Sequence, residues 1–255
     1  MNFLHVLILS AVEGLTEFLP ISSTGHLILT TQLLKIEPLY FQKTFEIVIQ
    51  FGAILAIVFL YFKKLLTDWG LIKKIITAFI PTAVVGFVFY PLVKDVFLGS
   101  SQITLNALFW GGIALIAAEY SLMNKKPVAT TTKQISFRQA IAIGVFQSIS
   151  IVPGVSRAAA TIIGGLFTGL DRKTAAEFSF LLAVPTMFAA TVLDITKSRE
   201  MIMRGGYITL FVGSVLSFLF AVIAVKFLVN YVKKHDFRVF GIYRIVLSAI
   251  FWLVK

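Results

Sequence analysis

Between Glu13 and His26 the chain reads E-G-L-T-E-F-L-P-I-S-S-T-G-H, with two carboxylates, three consecutive hydroxyls and an imidazole in strongly apolar surroundings. An ionisable group at a bilayer centre costs at least about 2.5–3.5 kcal/mol, so such a group normally faces a cavity and has a task there. Glu13 and Glu17 are four residues apart and stack on one helical face. Two like charges in low dielectric repel, so one holds a proton or both share a cation. Hard carboxylate oxygens at that spacing suit Mg²⁺ or Ca²⁺, with substrate oxygens and water completing the shell. After Pro20, the run Ser22, Ser23, Thr24, Gly25 can end one half-helix and cap the next. The free N–H groups and positive dipole end of such a cap favour an anion. His26 lies three residues past Ser23 and shares its face if the half-helix starts at the turn, which suits a general base or acid. Plain capping and a core histidine are the structural alternatives.

A second polar island, P-G-V-S-R-A-A-A-T, runs from Pro153 to Thr161. Arg157 is the only charge between Arg138 and Asp171. It needs an anion, either a glutamate from the first island or a phosphate held bidentately by its fork. Gly154 permits close backbone approach, and Ser156 and Thr161 add donors. Two carboxylates, a divalent-metal niche, an arginine, hydroxyls and an imidazole fit phosphoryl transfer, where the work is charge neutralisation and placement of a nucleophile. No Walker loop implies a nucleotide. The apolar mass around the islands implies a phosphate carried on a lipid. Glu46 reads as a supporting residue. Gln50, Glu119, Glu177, Asp194 and Arg244 lie in or at the ends of apolar runs with no assigned task, and Gly111-Gly112 and Gly164-Gly165 mark close helix contacts.

The elements that must position these groups are set by composition. The 255 residues are 58% hydrophobic with 25 phenylalanines, and the mean hydropathy is +0.92. A soluble domain would lack the polar surface to cover itself, so the expectation is one polytopic all-α membrane domain over 1–255. Without cysteine there is no disulfide or thiol chemistry. The net charge of +11 sits in short loops and reads as a topology signal, not as nucleic-acid binding. The first apolar run lacks a basic leader, so no cleaved signal peptide is expected.

Six apolar runs, at about 44–62, 75–93, 103–121, 175–195, 206–231 and 238–254, read as full transmembrane helices. Two more, at about 4–34 and 138–170, break near Pro20 and Pro153 into halves of ~14 residues, too short to span, and read as re-entrant helical hairpins. Aligning Pro20 with Pro153, a shift of 133, places Ser23 on Ser156 and Phe45 on Phe178. The pattern of hairpin plus three spans thus occurs twice, over about 1–121 and 134–255. Three crossings invert the second copy, giving an inverted-topology internal repeat with both breaks near the midplane. Parity puts Lys63, Lys64, Lys73, Lys74, Lys125, Lys126, Lys133, Arg138, Arg172, Lys173, Lys226, Lys233, Lys234 and Arg238 on one face. Lys35, Lys43, Lys94, Lys197, Arg199, Arg204 and Lys255 fall on the other. The richer face is expected to be cytoplasmic, with both termini outside.

The two islands also closely resemble the signature motifs of the undecaprenyl-pyrophosphate phosphatase family, the bacitracin-resistance proteins of bacteria. The likeness runs nearly end to end, through K-T-F-E-I-V-I-Q, A-E-F-S-F-L-L-A-V-P and a late I-Y-R. It implies an inner-membrane enzyme, open to the periplasmic side, that hydrolyses undecaprenyl pyrophosphate to the monophosphate with Mg²⁺ or Ca²⁺. That activity recycles the carrier for peptidoglycan synthesis and confers bacitracin resistance. By position, Glu13 and Glu17 match the family's acidic pair, taken as metal ligands, and Glu17, Ser23, His26 and Arg157 its catalytic residues. Ser22, Thr24, Gly154, Ser156 and Thr161 are expected around the pyrophosphate. Ala158 and Ala159 depart from the family's serine and glycine, which removes a hydroxyl. Ser23 with His26 as base, His26 itself, or water activated by His26 all remain open as nucleophile. Expected partners are the polyprenyl pyrophosphate and membrane lipid, with room for a homodimer and none for nucleic acid. The rival expectation is an inverted-repeat transporter or flippase that binds a lipid phosphate without cleaving it.

Overall fold

The computed structural model describes residues 1–36, 40–89, 100–122, 126–197 and 206–254. Eleven α-helices order the described residues: α1 Phe3–Thr16, α2 Ser23–Leu33, α3 Tyr40–Leu60, α4 Phe62–Thr67, α5 Trp69–Val88, α6 Ser101–Leu122, α7 Phe137–Ser148, α8 Arg157–Phe167, α9 Arg172–Lys197, α10 Tyr207–Tyr231 and α11 Arg238–Val254. Five of them, α3, α5, α6, α9 and α10, are long and apolar enough to cross a membrane. The sixth expected span, α11, has 17 residues, roughly 25 Å of helix. The end of the 75–93 run, side-chain detail at Asp194 and Lys197, and Lys94, Lys125, Arg199, Arg204 and Lys255 lie outside the described residues.

The helix ends follow local chemistry. Asn2 caps α1 by accepting from the His5 N–H at 2.9 Å. Asp68 caps α5 by accepting from Leu71 N–H. Ser136 and Gln139 form a reciprocal capping box that starts α7. Pro81 and Pro185 sit inside α5 and α9, tolerated where neighbouring helices cover the freed carbonyls.

The four short helices come in two pairs separated by breaks at 17–22 and 149–156. The caps that restart the chain are Ser22 and Ser156, with φ of 71° and 73°. Each side chain accepts from the N–H three residues on, Gly25 and Ala159. This corrects the register drawn through the prolines. Ser22, not Ser23, corresponds to Ser156, because one residue separates Pro20 from its cap and two separate Pro153 from its own.

The first helix of each pair docks on a long helix far away in sequence, α1 on α10 and α7 on α5. Both contacts use a glycine. A methyl on Gly14 would sit 2.7 Å from Phe220 Cβ, and one on Gly144 2.8 Å from the Ala78 carbonyl carbon. Helices without a hydrophobic drive to associate in lipid gain dispersion by such close backbone approach. The largest apolar core, built around Phe18, Phe178, Phe180, Leu181 and Ile57, lies where α3, α9 and the first break meet. At one end of the bundle, Arg172 grips Glu119 through both carboxylate oxygens, and Glu119 also accepts from the Phe237 N–H. Lys64 pairs with Glu177 at 2.8 Å, and Lys74 donates to the Lys133 carbonyl. These contacts gather onto one face several of the basic loops that parity had assigned together.

Candidate active site

Arg157 is the first residue of α8, and its side chain crosses from the second break to the first. Its Nη2 lies 3.0 Å from Glu17 Oε1, with both side chains almost wholly buried. Nη1 donates to the Ser179 carbonyl at 2.9 Å, and the guanidinium lies over the Phe18 ring at 5.7 Å. The other Glu17 oxygen, Oε2, accepts a hydrogen bond from Ser23 Oγ. One carboxylate therefore joins the hydroxyl at the start of α2 to the cation at the start of α8. Among the described residues the buried Arg157 Nε has no hydrogen-bond partner.

These groups open onto a cavity of about 180 Å³ between the breaks. Of the residues singled out in the sequence, Glu17, Ser22, Ser23, Thr24, Gly154, Ser156 and Arg157 line it. Gln50, which the sequence had left without a task, adds a polar group, as do Ser150 and Thr186, which the motifs did not reveal. Residues at both half-helix N-termini line this space, so their positive dipole ends add to the Arg157 charge.

Other expected residues stand elsewhere. His26 does not line the cavity. Its Nδ1 lies 2.8 Å from the Ser22 carbonyl and its Nε2 2.7 Å from Tyr243 Oη, and the ring stacks on Tyr243 of α11. A carbonyl only accepts, so Nδ1 carries the proton and Nε2 accepts from the tyrosine. Both nitrogens are engaged, and neither is turned to Ser23. Thr161 also lies behind the cavity, where it donates to Ser179 Oγ at 2.6 Å and so backs the residue that holds Arg157. Ser179 had gone unremarked, although the 133-residue shift places it opposite Glu46. Ala158 and Ala159 are buried at the start of α8 and do not line the cavity, so the missing hydroxyl falls outside the polar wall.

Glu13 is fully buried one turn before Glu17, beside that carboxylate, and among the described residues no cation pairs with it. Glu46 on α3 is close enough to add its field. An isolated buried carboxylate is costly, so Glu13 demands a proton or a cation. Among the described residues, no three His, Cys, Asp or Glu side chains gather closely enough to hold a metal alone. Glu13 supplies hard oxygen donors of the kind Mg²⁺ and Ca²⁺ take, and Mg²⁺ is usually held by one or two carboxylates plus phosphate oxygens. Glu13 is not among the residues that line the cavity, and both Glu17 oxygens already accept from Arg157 and Ser23.

The most deeply buried cation was not assigned from sequence. Arg244 on α11 has no exposed surface, and it donates to backbone carbonyls of both breaks, Pro20 at 3.2 Å and Gly154 at 2.9 Å. Its sequence signals were an arginine inside an apolar run and its place in the late I-Y-R.

Fold and site together define a class: an all-helical protein, multi-pass by the length and apolarity of its helices, with a buried carboxylate–arginine pair where two interrupted helix pairs meet. Within that class the chain belongs to the family described as bacitracin resistance protein BacA, whose model matches residues 6–250. It is similar to the undecaprenyl-diphosphatase of Sulfurihydrogenibium sp., 50% identical over 253 residues that cover 99% of each chain. The proteins of that name from Persephonella marina and Aquifex aeolicus are 51% and 48% identical, covering 99% and 97% of this chain and 99% and 96% of theirs.

Proposed function

We infer that the chain is an undecaprenyl-diphosphatase that releases phosphate from a polyprenyl diphosphate at the cavity between the breaks. The observation that carries the mechanism is Glu17 accepting at once from Ser23 and Arg157. Ser23 Oγ attacks the terminal phosphorus and passes its proton to Glu17. The bond from that phosphorus to the bridging oxygen breaks, and polyprenyl monophosphate leaves. Water then attacks the phosphoserine phosphorus, the bond from phosphorus to Ser23 Oγ breaks, phosphate leaves, and the proton held on Glu17 returns to Ser23 Oγ. Arg157 and the N–H groups at the starts of α2 and α8 hold the oxygens that gain charge. In this reading Glu17 takes the proton-accepting role expected of His26, and His26 fixes the turn through the Ser22 carbonyl. Glu13 and Glu17 would hold a divalent ion, which supplies Lewis-acid neutralisation of the diphosphate when bound.

The two broken helix pairs are proposed as re-entrant hairpins of an inverted repeat with α11 as a sixth span. The matched caps at Ser22 and Ser156 and the matched docking of α1 and α7 support this. The face carrying Lys64, Lys74, Arg172 and Arg238 is proposed as cytoplasmic, with the cavity open to the periplasm and both termini outside. An apolar groove of about 500 Å³ beginning at Leu19 and Ile21 and running along Ile223 and Phe227 offers the polyprenyl tail a path.

Purified protein in detergent with an isoprenyl diphosphate, with and without EDTA, tests the activity. Chelator-sensitive phosphate release supports the phosphatase, and tight binding with no release supports a transporter. Phosphorus trapped on Ser23 supports the serine route, while phosphorus trapped on His26 overturns it.

A further inference from the structure

Arg244 is the bulkiest of the fully buried side chains. Its donors are all committed to main chain. Nε reaches Leu108 O at 3.2 Å, Nη1 reaches Pro20 O at 3.2 Å and Val155 O at 2.9 Å, and Nη2 reaches Ala107 O at 3.1 Å and Gly154 O at 2.9 Å. A guanidinium has five N–H bonds, so none is left for a ligand. Among the described residues no carboxylate pairs with it. A buried charge without a counter-ion is retained only where its surroundings offset the lost hydration, and here five carbonyl dipoles converge on it.

The choice of carbonyls is informative. Pro20 and Gly154 each lie two residues before a cap serine, Ser22 and Ser156, so one side chain grips the same point of both breaks. Its bonds to Ala107 and Leu108 tie that grip to α6. Directly opposite stands Gly111 on α6. A methyl on Gly111 would run into Nη2 and sit 2.9 Å from Cζ. The first half of the chain thus keeps bare a position that admits the arginine of the second.

We propose that Arg244, seated against Gly111, is a positioning residue for phosphoryl transfer. It fixes the first break, which carries Glu17 and Ser23, against the second, which carries Arg157. It also places an unpaired positive charge one layer behind Gly154 in the cavity wall, where it favours a phosphate anion. The inference rests on the phosphatase reading for its kinetic arm only.

The test uses full-length R244K, R244Q and G111A in detergent. Thermal midpoints, kcat and KM for an isoprenyl diphosphate are measured, together with the distance distribution between spin labels on Thr24→Cys and Val152→Cys in the otherwise cysteine-free chain. Displacing a reacting group by about 1 Å can cost on the order of 100-fold. R244K keeps the charge and loses the fork. It is expected to lower kcat about 10- to 100-fold with little change in KM and to broaden the label distances. G111A, which leaves every cavity side chain in place, should do the same. R244Q should add a rise in KM because the charge is gone. If R244Q does not yield folded protein, R244K and G111A decide. Wild-type kcat and KM in R244K and G111A, with unchanged label distances, overturn the proposal. So does a loss of rate that only tracks the folded fraction. If the unmodified chain releases no phosphate, the phosphatase reading fails by itself, and the label distances still decide whether Arg244 registers the breaks.

Discussion

Glu17 and Arg157, 140 residues apart in the chain, meet at 3.0 Å across the two helix breaks, and Ser23 donates to the free oxygen of the same carboxylate. The pair is both a joint between the two parts of the fold and a wall of the cavity. Stability and turnover therefore depend on it in separable ways.

Arg157→Ala leaves the Glu17 charge buried with no cation. Removing one member of a buried pair typically costs about 3–5 kcal/mol, and the variant should release no phosphate. The double change E17Q/R157Q removes both charges and should recover much of the thermal midpoint in detergent while remaining inactive. Normal turnover in Arg157→Ala would take the arginine out of the reaction.

Glu17 and His26 are distinguished by where their side chains point. E17Q removes the group that accepts from Ser23 and should lower kcat by roughly 10²–10⁴, the usual contribution of a placed general base. His26→Ala loses contacts to the Ser22 carbonyl and to Tyr243, away from the cavity, and should cost no more than about tenfold. Tyr243→Phe should behave much as His26→Ala does, since it deletes one of the same bonds. A deficit in His26→Ala as deep as that of E17Q, with Tyr243→Phe unaffected, would return proton transfer to the imidazole.

Glu13 carries the case for a divalent ion. Chelation should stop phosphate release, and added Mg²⁺ or Ca²⁺ should restore it. Glu13→Gln should raise the metal concentration for half-maximal rate by at least about tenfold, since even outer-shell partners of metal ligands are worth 10- to 100-fold in affinity. Because Glu13 packs beside Glu17 and Glu46 and has no ion pair with a cation among the described residues, the same variant relieves like-charge repulsion and should melt no lower than the unmodified protein in EDTA. A rate indifferent to chelator would remove the metal from the scheme.

The meeting of Glu17 and Arg157 was legible in the sequence because charges in apolar runs need partners, and few were on offer. The long helices were legible for the same reason of solvent. Other features left no pattern to read. Arg244 and Ser179 act through backbone carbonyls, which every residue possesses, so nothing in the sequence names their partners. The register of the breaks was missed by one residue because the prolines draw the eye, whereas the serine caps decide where each helix restarts. His26 was placed beside Ser23 by helical spacing. A separation of three residues still leaves about 60° between side chains, enough to turn the ring to Tyr243, 217 residues away.

The caps give the last prediction. Ser22 and Ser156 combine two features that pull oppositely on substitution, an accepting hydroxyl and a backbone with φ near +70°. Alanine removes the hydroxyl and keeps the unfavourable conformation, so S22A and S156A should each lose about 0.5–2 kcal/mol. Glycine also removes the hydroxyl, but it adopts positive φ at no steric cost and caps nearly as well as threonine. S22G and S156G should therefore melt within a few tenths of a kcal/mol of the unmodified chain and clearly above the alanine variants. Turnover should follow the same order, because the caps set the direction of the N–H groups that border the cavity. Equal melting of the glycine and alanine variants would show that φ at the breaks is not what constrains these two positions.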